Sequence, residues 1–284
     1  MDVLEVLKRH GIRPSKGLGQ NFLVDRDVLE RVVEAGDLKA DDVILEVGPG
    51  IGTMTHLMAQ RVAQVVAIEL DPRMLRVLGD TLREDANVSL VQGDILDIDP
   101  ISALAKHIAP AEATPLRYKV VANLPYYITS AVLRHLLSAR IRPEQMTVMV
   151  QREVAERIVA LPGKLSLLAI SVQVYGQPEI VCHVPASAFY PTPKVDSAVL
   201  RINVYEKPRV AEDDMERFFK VVRAGYAQKR KQLRNSLTHN LHLPRAHVLA
   251  ALEKAGISPD KRPQMLTIEE WSRLACALSS ESPI

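Results

Sequence analysis

Short β-branched segments alternate with helical patterns through the first two-thirds of the chain, and no other feature limits the possible folds as strongly. Such alternation is typical of a mostly parallel sheet, because parallel neighbours need a crossover connection that usually contains a helix. Only a proline-rich loop separates the last two segments, so we expect an antiparallel hairpin there. The predicted fold class is therefore α/β, with a seven-stranded, mostly parallel sheet whose last strand is antiparallel. The predicted strands are 43–47, 65–70, 88–92, 118–123, 145–151, 179–184 and 197–204.

Beyond Tyr205 the sequence changes character. The stretch EKPRVAEDD at 206–214 is polar, charged and contains a proline, which is typical of a linker. Residues 214–284 then show helical spacing of apolar side chains and no further strand pattern. Thr267 and Glu270 fit a capping box that opens the last helix. The predicted domains are residues 1–206, which include a basic arm at 1–25, and residues 207–284, which form a small all-α domain.

Composition excludes several classes of protein. Hydrophobic residues make up 47% of the 284 residues, yet no apolar run approaches the roughly 20 residues of a membrane span. The N-terminal sequence lacks the apolar core of a secretory signal, so we expect a soluble, cytoplasmic protein without a membrane partner. Cys182 and Cys276 stand alone, outside any metal-ligand spacing, so we expect neither a disulfide framework nor a metal site.

The net positive charge of the chain is small, but many of its basic residues lie in two clusters. A formal net charge of +2 is too small to identify a nucleic-acid-binding protein by itself. Basic clusters of this kind either bind phosphates or form solvated helix faces, and the sequence alone leaves both interpretations open. One cluster comprises Lys8, Arg9, Arg13 and Lys16, and the other comprises Arg223, Lys229, Arg230, Lys231 and Arg234.

A glycine-rich sequence follows the first predicted strand. Gly48, Gly50 and Gly52 form a G-x-G-x-G pattern where a helix begins, and glycine there allows a sharp turn and close approach to a ligand. A dinucleotide site would need a glycine where Thr53 stands, and the acidic Glu46 disfavours a pyrophosphate. The pattern favours a cofactor without a pyrophosphate, such as S-adenosylmethionine. A tight strand-to-helix turn without any ligand would explain the same glycines.

Two further strands end in acidic residues at the same predicted edge of the sheet. Glu69 ends the second strand, where a carboxylate can accept hydrogen bonds from ribose hydroxyls. Asp94 follows the third strand and is placed to accept from the adenine amino group of a cofactor. An acidic residue after a strand is often only a helix cap, which is the simpler interpretation of Asp71.

The fourth strand ends in Asn123-Leu124-Pro125-Tyr126, close to the glycine loop. An adenine amine is a poor nucleophile because its lone pair is delocalised into the ring. The Asn123 side-chain oxygen and the Leu124 carbonyl can each accept one N–H, which favours a pyramidal nitrogen facing a methyl donor. Pro125 stiffens the loop, and Tyr126 offers an aromatic face for an unstacked base. These four residues predict N-methylation of adenine, with no metal and no general base. An ordinary turn with a buried tyrosine is the alternative.

In this order, the motifs resemble those of the ribosomal RNA adenine dimethyltransferases, and the resemblance spans nearly the whole chain. This family has the Rossmann-like class I methyltransferase fold with a helical C-terminal domain. The matching segments are GLGQNFLVD (17–25), ILEVGPGIGTMT (44–55), VVAIELDPRM (65–74), QGDIL (92–96), NLPYYITS (123–130), MVQREVAERI (149–158), FYPTPKVDSAVLRI (189–202) and AGYAQKRKQLRNSL (224–237).

The resemblance implies specific roles. It implies S-adenosylmethionine as the cofactor and a second aromatic, Phe189, stacking on the target adenine opposite Tyr126. Its substrate would be two adjacent adenines in a 3′-terminal hairpin of 16S ribosomal RNA, within a partly assembled small subunit, methylated by a monomer. The basic residues expected to bind RNA are Lys229, Arg230, Lys231 and Arg234. The cofactor contacts implied are Asn21, Leu23, Gly48, Gly50, Glu69, Asp94 and Asn123.

Three alternatives remain open at the sequence level. The related large-subunit methylases that confer macrolide resistance carry a motif closer to N-I-P-Y than to the NLPY at 123–126. DNA adenine methylases commonly use D-P-P-Y, with a carboxylate where Asn123 stands. A non-catalytic ribosome assembly factor could retain the fold, although intact Gly48, Glu69 and Asp94 favour a working enzyme.

Overall fold

The computed structural model describes residues 1–15, 17–107, 116–228 and 231–279. The chain divides into two compact units. Most of the second unit follows the start of the predicted linker, but this unit also includes residues 156–177, which lie within the predicted first domain. The first unit comprises 1–155 and 178–204, and the second comprises 156–177 and 205–284.

Among the described residues, the strands form two sheets. They are β1 (Phe22–Leu23), β2 (Val43–Val47), β3 (Gln64–Glu69), β4 (Val88–Gln92), β5 (Lys119–Asn123), β6 (Gln145–Gln151), β7 (Gly176–Val184), β8 (Phe189–Tyr190) and β9 (Ser197–Val204). The large sheet has the order β4-β3-β2-β5-β6-β9-β7. The pairs from β4 to β6 are parallel, and β9 runs antiparallel to β6. This confirms the predicted α/β fold, with seven strands and an antiparallel last strand.

Burial explains why these segments form strands. β2, β3, β5 and β6 are buried almost throughout, because helices cover both faces of the sheet, and their sequences are accordingly rich in valine and isoleucine. The outer strands β4 and β7 are more exposed. The small antiparallel ladder pairs β1 with β8, and no sequence pattern predicted it.

Several helices begin at a capping residue that satisfies one of their first N–H groups. Asp25, Asp71 and Asp99 each accept a hydrogen bond from a backbone N–H in the first turn of the helix that follows. This confirms the interpretation of Asp71 as a helix cap. The helices are α1 (Val3–Arg9), α2 (Arg26–Ala35), α3 (Thr53–Ala59), α4 (Pro72–Thr81), α5 (Pro100–Ala105), α6 (Thr129–Leu137), α7 (Arg152–Ile158), α8 (Leu167–Gln173), α9 (Glu212–Tyr226), α10 (Leu233–Leu241), α11 (Arg245–Lys254) and α12 (Ile268–Ser279).

The second unit is helical, and α9 packs against both α10 and α12. Close packing depends on Gly225, because a Cβ there would come within 2.4 Å of the Trp271 ring. The Thr267 hydroxyl accepts from the Glu270 N–H at 3.2 Å and the Glu270 carboxylate accepts from the Thr267 N–H at 2.9 Å, which confirms the capping box. The predicted linker was too long, since α9 already begins at Glu212. The acidic first turn of α9 favours this start, because carboxylates stabilise a helix N-terminus.

Candidate active site

A cleft opens at the carboxyl ends of β2, β3, β4 and β5, which are neighbours in the sheet. Ligands of open α/β sheets bind at this edge. The cleft contains about 1180 Å³ of space, part of it open to solvent. Nine of the predicted site residues line it: Asn21, Leu23, Gly48, Gly50, Glu69, Asp94, Asn123, Leu124 and Pro125.

The glycine loop forms the floor of the cleft through backbone conformation. Gly48, Gly50 and Gly52 have φ angles of +68°, +63° and +87°, a region that other residues enter only with strain. A Cβ on Gly50 would stand 3.2 Å from the ring of Phe22. The Gly48 N–H donates to the carbonyl of Ile68 at 2.9 Å, which ties the loop to the neighbouring strand β3. The predicted turn is therefore present, and glycine adopts it without strain.

Glu69 lies beside this loop, buried to 7% exposure. Its carboxylate accepts a hydrogen bond from the Asp71 N–H at 2.7 Å and further bonds from the backbone of Gly50 and Leu70. Burial raises the pKa of Glu69, and these three hydrogen bonds act in the opposite direction. Asp94, at the end of β4, accepts from the Leu96 N–H at 2.9 Å, which holds the carboxylate at the cleft wall.

Glu46 lines the cleft and was not among the predicted site residues. Its side chain is fully buried between β2 and α3, and one carboxylate oxygen accepts from the Thr55 hydroxyl at 2.6 Å. The other oxygen, Oε1, has no hydrogen-bond partner among the described residues. Burial raises the pKa of Glu46 to about 8; the bond from Thr55 lowers it and the nearby Glu69 raises it further. The acidic residue before the glycines was the available sequence signal.

The N-terminal segment 18–23 forms one wall of the cleft. The Asn123 side-chain N–H donates to the Asn21 carbonyl at 3.1 Å, so the segment is attached to the end of β5. Gln20 also holds it, since its amide donates to Asp71 at 3.1 Å and its oxygen accepts from the Ser15 N–H at 2.9 Å. No feature of the sequence pattern predicted these contacts.

The segment from Asn123 to Tyr126 places its first three residues in the cleft. Because the amide nitrogen of Asn123 is engaged by Asn21, its side-chain oxygen is the atom left to accept from a ligand. Leu124 is buried and its N–H donates to the Met149 carbonyl at 3.2 Å. Tyr126 lies outside the cleft lining, half-buried, with its hydroxyl 2.6 Å from Ser197 Oγ; burial raises its pKa.

Phe189 is not brought to the cleft. It lies in β8, paired with Leu23 of β1, and is only 2% exposed within an apolar cluster that includes Val184 and Val199. The structure thus brings Asn123 and the glycine loop together, and it keeps the second expected aromatic in the core.

Of the predicted RNA-binding residues, Lys231 and Arg234 belong to the second unit. Lys229 and Arg230 lie outside the described residues. Lys231 is exposed, while Arg234 forms an ion pair with Asp260 at 2.9 Å. Within the described ranges, no group of His, Cys, Asp and Glu side chains could hold a metal ion. No described helix has both the length and the apolar character needed to cross a membrane.

Each comparison with known proteins identifies ribosomal RNA methyltransferases. The family model described as ribosomal RNA adenine dimethylase matches residues 12–279. Proteins named ribosomal RNA small subunit methyltransferase A are 42% identical in Dehalococcoides mccartyi (98% of this chain, 93% of that one) and 42% identical in Shouchella clausii (97% and 93%). The 23S rRNA methyltransferase ErmE has a crystal structure that is 31% identical, with a TM-score of 0.70 over 91% of this chain and all of that one.

Proposed function

Because the chain belongs to the ribosomal RNA adenine dimethylase family, we propose that it dimethylates two adjacent adenines in a 3′-terminal hairpin of 16S ribosomal RNA. The chain is a ribosomal RNA methyltransferase. The observation that carries the proposed reaction is the position of Asn123, at the end of β5 in the same cleft as the glycine loop. Its amide N–H is held by Asn21, which leaves the oxygen to accept from an adenine amine.

S-adenosylmethionine is the cofactor we propose, and the cleft has the chemistry to hold it. Glu69 would accept from the ribose hydroxyls and Asp94 from the adenine amino group. The left-handed glycines leave space where a Cβ would stand, and Asn21 and Leu23 also line the cleft. When bound, this cofactor supplies a methyl group already activated by its sulfonium.

The residues of the chain then have to orient the target amine. Asn123 Oδ1 and the Leu124 carbonyl would each accept one N–H, which directs the nitrogen lone pair toward the methyl donor. Pro125 limits the conformations of the loop. Tyr126 would stack on one face of the extruded base, and Phe189 would stack on the other face of the base. Stacking of this kind contributes roughly 1–3 kcal/mol per base. Most of the catalytic effect is therefore proximity and orientation.

The choice of the small-subunit substrate is supported by the relatives. Proteins named for the small subunit are 42% identical over nearly the whole chain, whereas ErmE, named for 23S RNA, is 31% identical. We accordingly propose the 16S substrate, in a partly assembled subunit in the cytoplasm, for a monomeric enzyme. The domain at 207–284 would bind RNA through Lys229, Arg230, Lys231 and Arg234. The domain at 1–206 would carry the chemistry.

The RNA-binding proposal predicts a salt-dependent effect. Replacing Lys231 by Gln should lower the affinity for small-subunit RNA and reduce the slope of log affinity against log salt by roughly 0.7–0.9, because one phosphate contact is lost. Titrations at several salt concentrations measure both quantities. If the slope is unchanged in Lys231→Gln and in a variant that also neutralises Lys229, Arg230 and Arg234, the basic cluster does not bind RNA.

The proposed function is tested by methyl transfer from labelled S-adenosylmethionine to small subunits that lack adenine dimethylation. The modified base is identified by mass spectrometry. We expect dimethyladenosine with the wild-type protein and a loss of at least about 100-fold with Asn123→Ala, since its acceptor is lost in the transition state. Asn203→Ala, at the opposite end of the sheet and exposed, serves as the control and should retain activity.

The alternatives give different results in the same assay. Methylation of large-subunit RNA alone would support the macrolide-resistance type of enzyme. Tight binding to the small subunit without any methyl transfer would support a non-catalytic assembly factor.

A further inference from the structure

Tyr127 is an exposed aromatic residue of the cleft to which the proposed function gives no role. Two aromatic side chains are found among the described residues that line the cleft, Phe22 and Tyr127. Phe22 is only 7% exposed and its ring lies against Gly50, whereas Tyr127 is 59% exposed. Of these two rings, the Tyr127 ring is therefore the one that an entering ligand can contact.

A tight turn sends the two neighbouring tyrosines in different directions. The Ile128 N–H donates to the Pro125 carbonyl at 3.2 Å, which closes a β-turn with Tyr126 and Tyr127 at its central positions. The hydroxyl of Tyr126 lies 2.6 Å from Ser197 Oγ at the start of β9, and Tyr126 is not part of the cleft lining. Tyr127 does line the cleft. The two rings therefore serve different parts of the site rather than the same base.

The Tyr127 ring rests on the backbone of the N-terminal segment 18–23. Gly19 in this segment has a φ of +60°, and a Cβ there would come within 3.2 Å of the ring carbon Cδ1 and 3.4 Å of Cε1. Glycine thus leaves the room that the ring occupies. A ring that is supported on one side and otherwise exposed needs little ordering when a ligand binds, which favours affinity.

The charge of the cleft limits how it can hold RNA. None of the described residues that line it is Lys, Arg or His, while Glu46, Glu69 and Asp94 are acidic. Phosphate groups are bound mainly by basic side chains, so the lining offers them little attraction. Stacking on an aromatic ring needs no charge and accepts any base, because every base has a π-face. Stacking is therefore the interaction that the exposed ring can offer to RNA.

We propose that Tyr127 stacks on the base next to the target, which is the other adenine of the methylated pair. This inference rests on the proposed function, because it takes two adjacent adenines as the substrate. Extruding one adenine takes a stacking partner away from its neighbour. Tyr127 replaces that partner while Tyr126 contacts the target. The neighbouring adenine is thereby kept at the cleft after the first adenine has been methylated.

The test compares small-subunit substrates that differ only in the ring of the neighbouring nucleotide. Each substrate has one target adenine in a synthetic 3′-terminal hairpin, ligated to the rest of the 16S RNA and assembled into subunits. The neighbouring position carries either purine riboside or an abasic nucleotide. Purine riboside keeps the aromatic ring and has no exocyclic amine, so only one base can be methylated. Transfer from labelled S-adenosylmethionine is measured with the target first and with the target second in the pair.

We expect Tyr127→Ala to lower kcat/KM about 10-fold on the purine substrate in at least one of the two orders, because one stacking contact is lost. On the abasic substrate of that order, the wild-type protein should show the same fall. Tyr127→Ala should then lose less than about 2-fold more, since the contact is already absent. Tyr127→Phe keeps the ring and should match the wild type on both substrates.

Leu70→Ala is the matched control. Leu70 is 44% exposed and lines the same cleft next to Glu69, so any loss of turnover in this variant should be equal on the purine and abasic substrates.

Equal losses of Tyr127→Ala on the purine and abasic substrates would overturn the proposal, and so would wild-type turnover in this variant. Weaker calorimetric binding of S-adenosylhomocysteine by Tyr127→Ala, with turnover restored at saturating cofactor, would make Tyr127 a cover for the cofactor and overturn it as well. If the wild-type protein transfers no methyl group to small subunits that lack dimethylation, the proposed function itself fails. A failure of the stacking proposal alone leaves that transfer intact.

Discussion

The two halves of the candidate site are built in different ways. The cofactor half, from the glycine loop to Glu69, is fixed by backbone conformation and short hydrogen bonds such as Asp71 N–H to Glu69 at 2.7 Å. The proposed base half depends on two aromatic side chains that lie outside the cleft lining, Tyr126 half-buried and Phe189 in the core. The residues proposed for the cofactor half already line one cleft, whereas we expect Phe189 to need a movement before its ring can contact a base.

The largest effect should follow from a change to the cofactor half. Replacing Gly50 by Val should weaken binding of S-adenosylhomocysteine by about 100-fold. A residue with a side chain in the left-handed region costs about 1–2 kcal/mol, and β-branched residues are tolerated there least. The added Cβ would also stand 3.2 Å from the Phe22 ring. Calorimetry on the folded variant measures the loss.

Gly79→Ala is the matched control for this change. Gly79 lies inside α4 with nothing within 4 Å of an added Cβ, so alanine should stabilise the fold by about 0.5–1 kcal/mol and leave affinity unchanged. Normal affinity in Gly50→Val would mean that the cofactor half also adjusts on binding, which would remove the difference between the two halves.

A smaller effect is expected from Phe189→Leu, which tests whether this core residue becomes a stacking residue. The free energy of unfolding should fall by about 1–2 kcal/mol, binding of S-adenosylhomocysteine should be unchanged, and methyl transfer should fall about 10-fold, because leucine fills the apolar cluster but offers no ring to the base. Thermal unfolding, calorimetry and turnover separate the three quantities.

Val184→Ala provides the control for lost core volume, since Val184 is fully buried in the same cluster. It should lose stability and retain methyl transfer. A similar loss of transfer in both variants would leave Phe189 as a packing residue alone, and the base half would then depend on Tyr126.

The regular part of the fold was predictable because local sequence determines it. The predicted bounds 43–47, 88–92, 145–151 and 197–204 coincide with strands β2, β4, β6 and β9, since β-branched residues are favoured on a buried pleated surface. β7 begins earlier than predicted, at Gly176, because the sheet extends through a Gly-Gln-Pro sequence that has little strand propensity of its own. Two-residue strands such as β1 and β8 carry no periodicity, so their pairing was not predictable.

The candidate site was predictable where the chemistry follows directly from strand ends. Gly48, Glu69 and Asn123 were placed together correctly because parallel strands end at one edge. Contacts between distant segments were missed, since neither the pair of Tyr126 with Ser197 nor that of Gln20 with Asp71 leaves a local pattern. The core position of Phe189 follows from packing against Leu23, which only the folded chain brings near.

The smallest effect concerns how Tyr126 is held. Its hydroxyl lies 2.6 Å from Oγ of the fully buried Ser197, the first residue of β9, so this hydrogen bond fixes the ring at the edge of the base half. Ser197→Ala should lower kcat about 5-fold, because one hydrogen bond contributes roughly 1 kcal/mol. Its binding of S-adenosylhomocysteine should be unchanged.

Tyr126→Phe keeps the stacking ring, and its kcat should fall by the same factor. Because both changes remove one bond, the double variant should be no slower than either single variant. Multiplied losses would show that the two hydroxyls act separately, and a loss of cofactor affinity would show that the two halves of the site are not independent.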